Sequence, residues 1–140
     1  MFKLKIVSVG KPKNLWVEEG VKTYVHRLRS VMSIDFVYLK NNEQLLLFLK
    51  KQSLVICLDP LGEILNSRGF SKKIHRCFQE GGSRLTIAIG GAEGLPEEAR
   101  KKYSLLSLSS MTLTHQMARL FLLEQLYRAT EIAKGSAYHK

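Results

Sequence analysis

Hydrophobic and polar residues alternate along the chain in a way that predicts an α/β fold. Short runs rich in β-branched and apolar residues have the length of strands, and they cover residues 3–9, 34–39, 54–58, 85–89 and 105–108. Longer segments with apolar residues every three or four positions lie between these runs and are typical of amphipathic helices. The alternation predicts a mostly parallel sheet covered by helices. Segments 54–58 and 85–89 are apolar almost throughout, so we expect them at the centre of the sheet.

Five helices are predicted from the same pattern. The first follows Asn14, a candidate N-cap, and places on one face Val17, Val21, Tyr24, Val25 and Leu28. Others are expected at residues 43–51, 71–80 and 96–103, where Pro96 suits the first helical position. The last covers residues 115–134 and ends before Gly135, which is suited to a left-handed cap.

The last helix is apolar around more of its circumference than one core-facing stripe requires. The residues responsible are Met117, Leu120, Phe121, Leu123 and Tyr127. A second buried face favours contact with a second copy of the chain, and we therefore expect a homodimer.

The length and charge of the chain predict a single domain with a polyanionic partner. A chain of 140 residues fits one domain, which we expect to cover residues 1–140. Lys and Arg number 22 against 12 Asp and Glu, which gives a formal net charge of +10. Such a charge attracts polyanions and makes nucleic acid the leading partner, although a merely soluble basic protein fits the same composition. The basic residues are scattered, which favours a folded basic face over a disordered arm.

Cysteine usage and hydropathy exclude several classes of protein. Cys57 and Cys77 lack the paired spacing of zinc sites or redox motifs, so we expect reduced core thiols and no metal. The apolar run at residues 45–49 is far shorter than a membrane span, and the N-terminus does not have the pattern of a secretory signal. A cytoplasmic location without membrane association is expected.

Three predicted strands end in loops rich in small residues. The strand at 85–89 continues into Gly90, Gly91 and Gly94, where the backbone could approach a ligand closely or simply form a tight turn. This loop lacks the spacing of dinucleotide- or phosphate-binding glycine motifs. Similar loops occur at residues 58–62 and 108–113. Because parallel strands present their carboxyl ends at one edge, the three loops are compatible with a single pocket.

Polar pairs on the last helix and residues beyond it are candidate substrate contacts. His115 and Arg119 are four positions apart, as are Glu124 and Arg128, so each pair shares a helix face. An ordinary surface ion pair is the simpler interpretation of Glu124 and Arg128. The terminal segment 138–140 combines an aromatic ring, an imidazole and a cation, which are types that contact nucleotides, although terminal tails are often disordered.

Six segments that follow one another along the chain carry the most specific signal. They are residues 5–11 (KIVSVGK), 58–59 (LD), 89–94 (IGGAEG), 108–115 (LSSMTLTH), 124–129 (EQLYRA) and 138–140 (YHK). Together they resemble the RlmH family of SPOUT methyltransferases, and the resemblance covers essentially the whole chain.

The resemblance implies an enzyme that methylates N3 of a pseudouridine in a hairpin loop of large-subunit ribosomal RNA. The methyl donor would be S-adenosylmethionine (SAM), and the substrate would be the assembled ribosome. It also implies a single SPOUT-like domain, a homodimer and a trefoil knot in the C-terminal half, which hydrophobic patterns cannot reveal.

Site residues are carried over position by position from the family's motifs. The matching cofactor-binding positions are Leu58, Gly90, Leu108, Ser109, Ser110, Met111, Thr112 and Leu113. The matching catalytic and substrate-site positions are His115, Glu124, Arg128, Tyr138 and His139.

The chain departs from the family's pattern at three residues. Ala92 stands where relatives often have Pro or Ser, Thr114 where many have Pro, and Lys140 where Arg is frequent. The first two change loop stiffness. Lys140 bears on substrate affinity, because an ammonium group lacks the planar fork of guanidinium. The chain is also short between its second and third strands, where family contacts would be affected.

Methyl transfer to N3 also requires the imide proton to leave. His139 and Glu124 are candidates to accept it, with Arg128 favouring the anion, and bulk solvent is an equal alternative. The competing interpretation of the whole chain is a non-enzymatic RNA- or ribosome-binding protein, which SAM binding would exclude. A nucleotide-dependent oxidoreductase is disfavoured because the glycine loop lacks dinucleotide spacing and lies late in the chain.

Overall fold

Five strands and five helices alternate along the computed structural model, which describes residues 1–140. The strands are β1 (Phe2–Val9), β2 (Met32–Leu39), β3 (Val55–Ile64), β4 (Arg84–Ile89) and β5 (Ser104–Ser107). The helices are α1 (Leu15–Leu28), α2 (Asn42–Lys50), α3 (Ser67–Glu80), α4 (Glu97–Lys102) and α5 (His115–Lys134). Every predicted element is therefore present, and the predicted fold class is confirmed.

The five strands form one parallel sheet in the order β2-β1-β4-β3-β5. The two apolar strands predicted at the centre, β3 and β4, pair with each other inside the sheet, as Cys57 does with Ala88. Residues 85–89 of β4 are all buried, because helices cover the sheet on both faces.

Two hydrophobic cores lie on opposite faces of the sheet. The larger one joins the sheet to α1, α3 and α5, and its largest fully buried side chains include Phe78, Leu122 and Leu123. The smaller one joins it to α2 and α4 through Leu45, Leu49 and Ala99. Successive residues of each inner strand pack alternately in the two cores, because side chains along a strand point to opposite faces of the sheet.

Helix α5 packs between α1 and α3, and this position explains much of its apolar circumference. A methyl group added at Gly20 of α1 would lie 2.9 Å from Leu120 Cδ1, and the rings of Tyr24 and Tyr127 are 6.0 Å apart. On the other side, Ser71 Oγ of α3 donates to the Ala129 carbonyl at 2.9 Å. Part of the second apolar face, at Leu120 and Tyr127, therefore contacts the chain's own α1, although Met117, Leu120, Phe121 and Tyr127 remain half-buried in one chain, and the homodimer stays a prediction.

Several element ends differ from the sequence-based predictions for identifiable reasons. The segment predicted as a loop at residues 58–62 belongs to β3, because a bulge shifts the register and lets Glu63 pair with Leu106 of β5. Helix α3 begins at Ser67 and not at residue 71, since the Asn66 side chain accepts a hydrogen bond from the Gly69 amide at 2.8 Å.

The predicted helix caps are partly correct. Asn14 precedes α1, but its side chain makes no capping hydrogen bond. Pro96 is the N-cap of α4 and not its first residue, because its ψ of 149° is extended. Gly135 ends α5 in the left-handed conformation with φ of 73°, as predicted. None of the helices combines the length and the hydrophobicity that crossing a membrane requires.

Candidate active site

A cavity of about 590 Å³ opens at the carboxyl edge of the sheet, where β3, β4 and β5 end. Three loops line it, as their placement after parallel strands predicts. Seven of the eight predicted cofactor-binding residues lie in its wall, and these are Leu58, Gly90, Leu108, Ser109, Met111, Thr112 and Leu113. The eighth, Ser110, is exposed and lies outside the wall.

Short-range hydrogen bonds fix the loop between β5 and α5. Ser107 Oγ donates to the Ser109 carbonyl, and Ser109 Oγ accepts from the Met111 amide, both at 2.9 Å. Thr114 then caps α5 by accepting from the Met117 amide at 3.2 Å. This loop needs no long side chains to hold its shape, so its small residues leave room for a ligand.

Gly90, at the end of β4, has no room for a side chain, because the loop that follows it folds back against its Cα atom. A Cβ atom at Gly90 would lie 2.6 Å from the Gly94 carbonyl carbon and 2.7 Å from the Leu95 nitrogen. The loop folds back so closely because Gly91 and Gly94 form an isolated bridge. The glycine pattern is compatible with a close approach to a ligand or with a tight turn, and the loop in the structure is a tight turn that also lines the cavity.

An ion pair in the cavity wall was missed by the sequence analysis. Arg100 Nε of α4 donates to Asp59 Oδ2 at 2.7 Å, and both residues line the cavity. The Asp59 side chain is 2% exposed and that of Arg100 is 37% exposed. Asp59 Oδ1 also accepts from the Leu61 amide at 2.9 Å. An acidic residue at the end of an apolar strand was a usable signal for Asp59, whereas nothing in the sequence singled out Arg100.

The buried carboxylate also affects the neighbouring thiol. Burial, and secondarily the negative charge of Asp59, raise the pKa of Cys57 to about 12. Cys57 is fully buried and therefore stays a neutral thiol, as the sequence analysis expected.

Four predicted substrate-site residues form a second cluster, in which the C-terminal tail packs against the middle of α5. Tyr138 Oη donates to Glu124 Oε2 at 2.8 Å, and Arg128 bonds both oxygens of Glu124 at 3.3 Å. Arg128 Nη1 also donates to His139 Nδ1 at 3.1 Å, and its guanidinium lies 4.8 Å from the centre of the Tyr138 ring. We call Glu124, Arg128, Tyr138 and His139 the tail cluster. The terminal segment thus folds onto α5, and the Glu124–Arg128 pair is more than an isolated surface contact.

Tyr138 is the member of the tail cluster whose protonation the structure determines most clearly. Burial, followed by the hydrogen bond to Glu124 and the charge of that carboxylate, raises the pKa of Tyr138 to about 12. The phenol therefore keeps its proton at neutral pH and acts as a donor.

The predicted site residues occupy two separate places within one chain. His115 lines the cavity, whereas no member of the tail cluster does. Glu124 follows His115 by nine positions, which on an α-helix corresponds to about 13 Å along the axis and half a turn around it. One chain therefore does not bring its own tail cluster to the cavity.

The spacing of His115 and Arg119 suggested that the two side chains form a pair on one helix face. In the structure Arg119 instead contacts residues of other elements. It is buried and forms an ion pair with Glu18 of α1. It also donates to Tyr38 Oη of β2 at 3.0 Å, and its guanidinium lies 5.4 Å from the centre of the Phe36 ring. Burial lowers the pKa of Arg119. These contacts fix the first turns of α5, on which His115 stands.

Comparison with known proteins identifies the family. The family described as "Predicted SPOUT methyltransferase" matches residues 2–139. A protein named ribosomal RNA large subunit methyltransferase H from Protochlamydia amoebophila is 51% identical over 140 residues, covering 100% of both chains. A protein of the same name from Coprothermobacter proteolyticus is 40% identical and covers 99% of both chains. The chain belongs to the RlmH family of SPOUT methyltransferases.

Solved structures support the fold assignment of this RlmH-family chain. TrmJ from Zymomonas mobilis covers 92% of this chain with a TM-score of 0.55 and 9% identity, and the match spans 70% of TrmJ. A Legionella pneumophila protein solved in complex with bound SAM covers 92% of this chain with a TM-score of 0.51 and 12% identity, over 66% of its own length. The trefoil knot expected of the C-terminal half is implied by membership of the family.

Proposed function

We propose that this protein transfers a methyl group from SAM to N3 of a pseudouridine in large-subunit ribosomal RNA of the assembled ribosome, in the cytoplasm. The observation that carries the proposal is the cavity at the carboxyl edge of the sheet. Its wall contains seven of the eight positions that match the cofactor-binding pattern of the RlmH family. The net charge of +10 suits a polyanionic substrate.

The cavity has the size and chemistry that SAM requires. Its volume of about 590 Å³ lies in the range of small-molecule sites. Leu58, Ile89, Leu108 and Leu113 provide apolar walls, and loop backbone groups provide hydrogen-bonding partners. Asp59 and Arg100 add an ion pair to the wall, in which the carboxylate is already neutralised by the guanidinium, so the wall carries little net charge. When bound there, SAM supplies an electrophilic methyl group on a positively charged sulfur.

The contribution of the protein to the reaction is mainly positioning. Methyl transfer needs the nitrogen in line with the methyl carbon and water excluded, so holding the two reactants in place accounts for much of the rate. Arg119 and Thr114 hold the first turns of α5, and the loop at 108–113 holds the cavity wall.

The tail cluster is suited to binding the nucleotide and favouring its deprotonated form. Arg128 is a cation, so it stabilises negative charge that develops on the base as the imide proton leaves, whereas the single O–H of Tyr138 is donated to Glu124 and fixes the tail. Glu124 and His139 are the side chains that can accept that proton, and solvent is the alternative acceptor.

A second copy of the chain would bring the tail cluster to the cavity. Within one chain His115 of the cavity wall and Glu124 of the tail cluster lie about 13 Å apart along α5 and on opposite sides of it, so the proposed complete site uses the tail of a partner. A partner could cover apolar surface that one chain leaves exposed. This surface includes the side chains of Leu15 and Trp16 on α1 and of Met111 in the loop at residues 108–113. We therefore propose a homodimer with two composite sites.

Titration calorimetry with SAM, combined with transfer of labelled methyl groups to unmodified ribosomes, tests this function. We expect saturable SAM binding and incorporation of label into large-subunit RNA at N3 of pseudouridine. The control is a Gly90→Val variant that remains folded, which should show neither. Binding of ribosomes without SAM binding or label would instead support a non-enzymatic RNA-binding protein.

A further inference from the structure

Helix α3 carries an uneven distribution of charge that the site described above does not use. Between Ser67 and Glu80 it contains four cations, namely Arg68, Lys72, Lys73 and Arg76, and a single acid at its last position. In each of the other four helices, Lys and Arg outnumber Asp and Glu by at most one. The net charge of +10 is therefore concentrated most strongly on α3 among the helices.

Three of these cations form a row on the exposed side of α3. Arg68, Lys72 and Arg76 are spaced four residues apart, which puts them on one face over about 12 Å. All three are exposed, and none has a carboxylate within salt-bridge distance. Lys73 differs because its ammonium bonds Glu63 at 3.3 Å. We call Arg68, Lys72 and Arg76 the α3 row.

The α3 row faces outward because the opposite side of α3 is packed against the rest of the protein. Phe70, Ile74 and Phe78 are buried in the larger core, and Ser71 bonds the backbone of α5. His75 is turned toward its own helix, since its Nδ1 lies 2.7 Å from the Ser71 carbonyl. The helix is therefore fixed, and the cations of the α3 row are presented on a rigid support.

The start of the α3 row lies close to the cofactor cavity and to the tail cluster of its own chain, which in the proposed dimer belong to two different composite sites. Ser67, at the first position of α3, lines a smaller cavity of about 240 Å³ that shares Ser107 and Leu108 with the cofactor cavity. Ser67 Oγ also donates to Gln125 Oε1 at 2.8 Å, and Gln125 Nε2 donates to Glu124 Oε1 of the tail cluster at 3.0 Å. RNA held at either composite site would thus have its neighbouring phosphates close to α3 of a subunit that contributes its cavity or its tail to that site.

We infer that the α3 row is a docking surface for the phosphate backbone of the RNA that flanks the target nucleotide. This inference rests on the proposed function. Exposed Lys and Arg without acidic partners are the groups that contact phosphates, and such contacts set register and orientation without reading sequence. The exposed side of α3 has no large apolar residue of the kind that forms the centre of a protein interface, so its chemistry fits RNA better than a protein partner.

The salt dependence of ribosome binding tests the α3 row directly. In the variant R68Q/K72Q/R76Q, binding should weaken, and the slope of log K against log salt should become shallower by roughly 2 to 3, since each phosphate contact contributes about 0.7 to 0.9. The matched control is K50Q/K51Q/R84Q, which removes the same charge at the amino edge of the sheet, away from the cavity. Its slope should change by less than about 1.

Two further measurements make the result decisive. A charge-preserving variant, R68K/K72R/R76K, should keep the wild-type slope, and all variants should keep wild-type affinity for SAM. Equal slopes for the two neutralised variants would overturn the docking surface even if the wild type methylates ribosomes. Conversely, a shallower salt slope of ribosome binding in R68Q/K72Q/R76Q alone would support the α3 row as a docking surface even if no methyl transfer is detected. In that case the proposed methyltransferase function would be contradicted, and the docking surface would not.

Discussion

Arg100 and Asp59 join α4 to the end of the buried part of β3 through a 2.7 Å hydrogen-bonded ion pair in the cavity wall. The glycine loop at residues 90–94 leads from β4, the neighbour of β3, into α4, and Arg100 Nη2 would lie 3.2 Å from a Cβ atom at Gly94. The pair therefore connects β3 to the helix that follows the glycine loop. Its loss should affect both stability and ligand binding.

Arg100→Met should destabilise the protein by about 1 to 3 kcal/mol, because it leaves the buried Asp59 carboxylate without its cation. The partial exposure of Arg100 keeps the expected value below that of a fully buried pair. Urea unfolding measures the change, and SAM affinity should fall in the same variant. The control Lys101→Met removes a cation whose pair with Glu97 is exposed, and it should shift stability by less than about 0.5 kcal/mol. Similar losses in the two variants would show that the Asp59 pair has no special role.

Gly90→Val should abolish SAM binding, and even Gly90→Ala should weaken it by about tenfold or more. The reason is steric, because a Cβ atom at this position meets the backbone of Gly94 and Leu95 and must displace the loop. Calorimetry with SAM and a thermal unfolding curve separate loss of the site from loss of the fold. Gly91→Ala is the comparison, since its Cβ would lie 3.3 Å from the nearest atom, and it should cost less. Wild-type affinity in folded Gly90→Val would remove this glycine from the site.

The difference between the ultraviolet titrations of wild type and Tyr138→Phe should show a tyrosine that loses its proton near pH 12. The pKa of Tyr138 is raised in the folded state, so its contribution to holding the tail is complete below the ordinary tyrosine pKa of about 10 and is lost as the pH rises through about 12. Tyr138→Phe should also free the tail and speed its removal by carboxypeptidase. If the absorbance difference between wild type and Tyr138→Phe has its midpoint near pH 10, the hydrogen bond from Tyr138 to Glu124 does not hold in solution.

The fold could be predicted from the sequence because each element carries a local signal. Strands β3 and β4 were expected at the centre since their apolar runs require burial on both faces, and Gly135 was expected to end α5 since only a left-handed residue closes that helix. The start of α3 was missed because its capping residue, Asn66, precedes a polar turn without an apolar period. The extension of β3 was missed because a register shift depends on the neighbouring strand and has no local pattern.

The site was predictable only in part. The cavity wall followed from the family's motifs and from the rule that parallel strands end at one edge. Asp59 and Arg100 were missed since their pairing joins residues 41 positions apart. The apolar circumference of α5 was interpreted as a dimer face, and the structure shows that α1 covers part of it at Leu120 and Tyr127. Long-range contacts of this kind have no signature in the spacing of residues along the chain.

Mixing two inactive variants tests the central claim, that each site combines the cofactor cavity of one subunit with the tail cluster of another. One variant carries Gly90→Val, and the other lacks residues 138–140. After subunit exchange, half of the dimers should be mixed, and in each of these one of the two sites has an intact cavity and an intact tail. About a quarter of all sites should then transfer methyl groups to ribosomes.

The control is wild-type protein carried through the same exchange procedure, with exchange itself verified by tagged subunits. Return of about a quarter of the wild-type activity is the predicted result. If exchange is complete, the wild-type control stays active and the mixture transfers no methyl groups, each subunit completes its own site and the composite arrangement is contradicted.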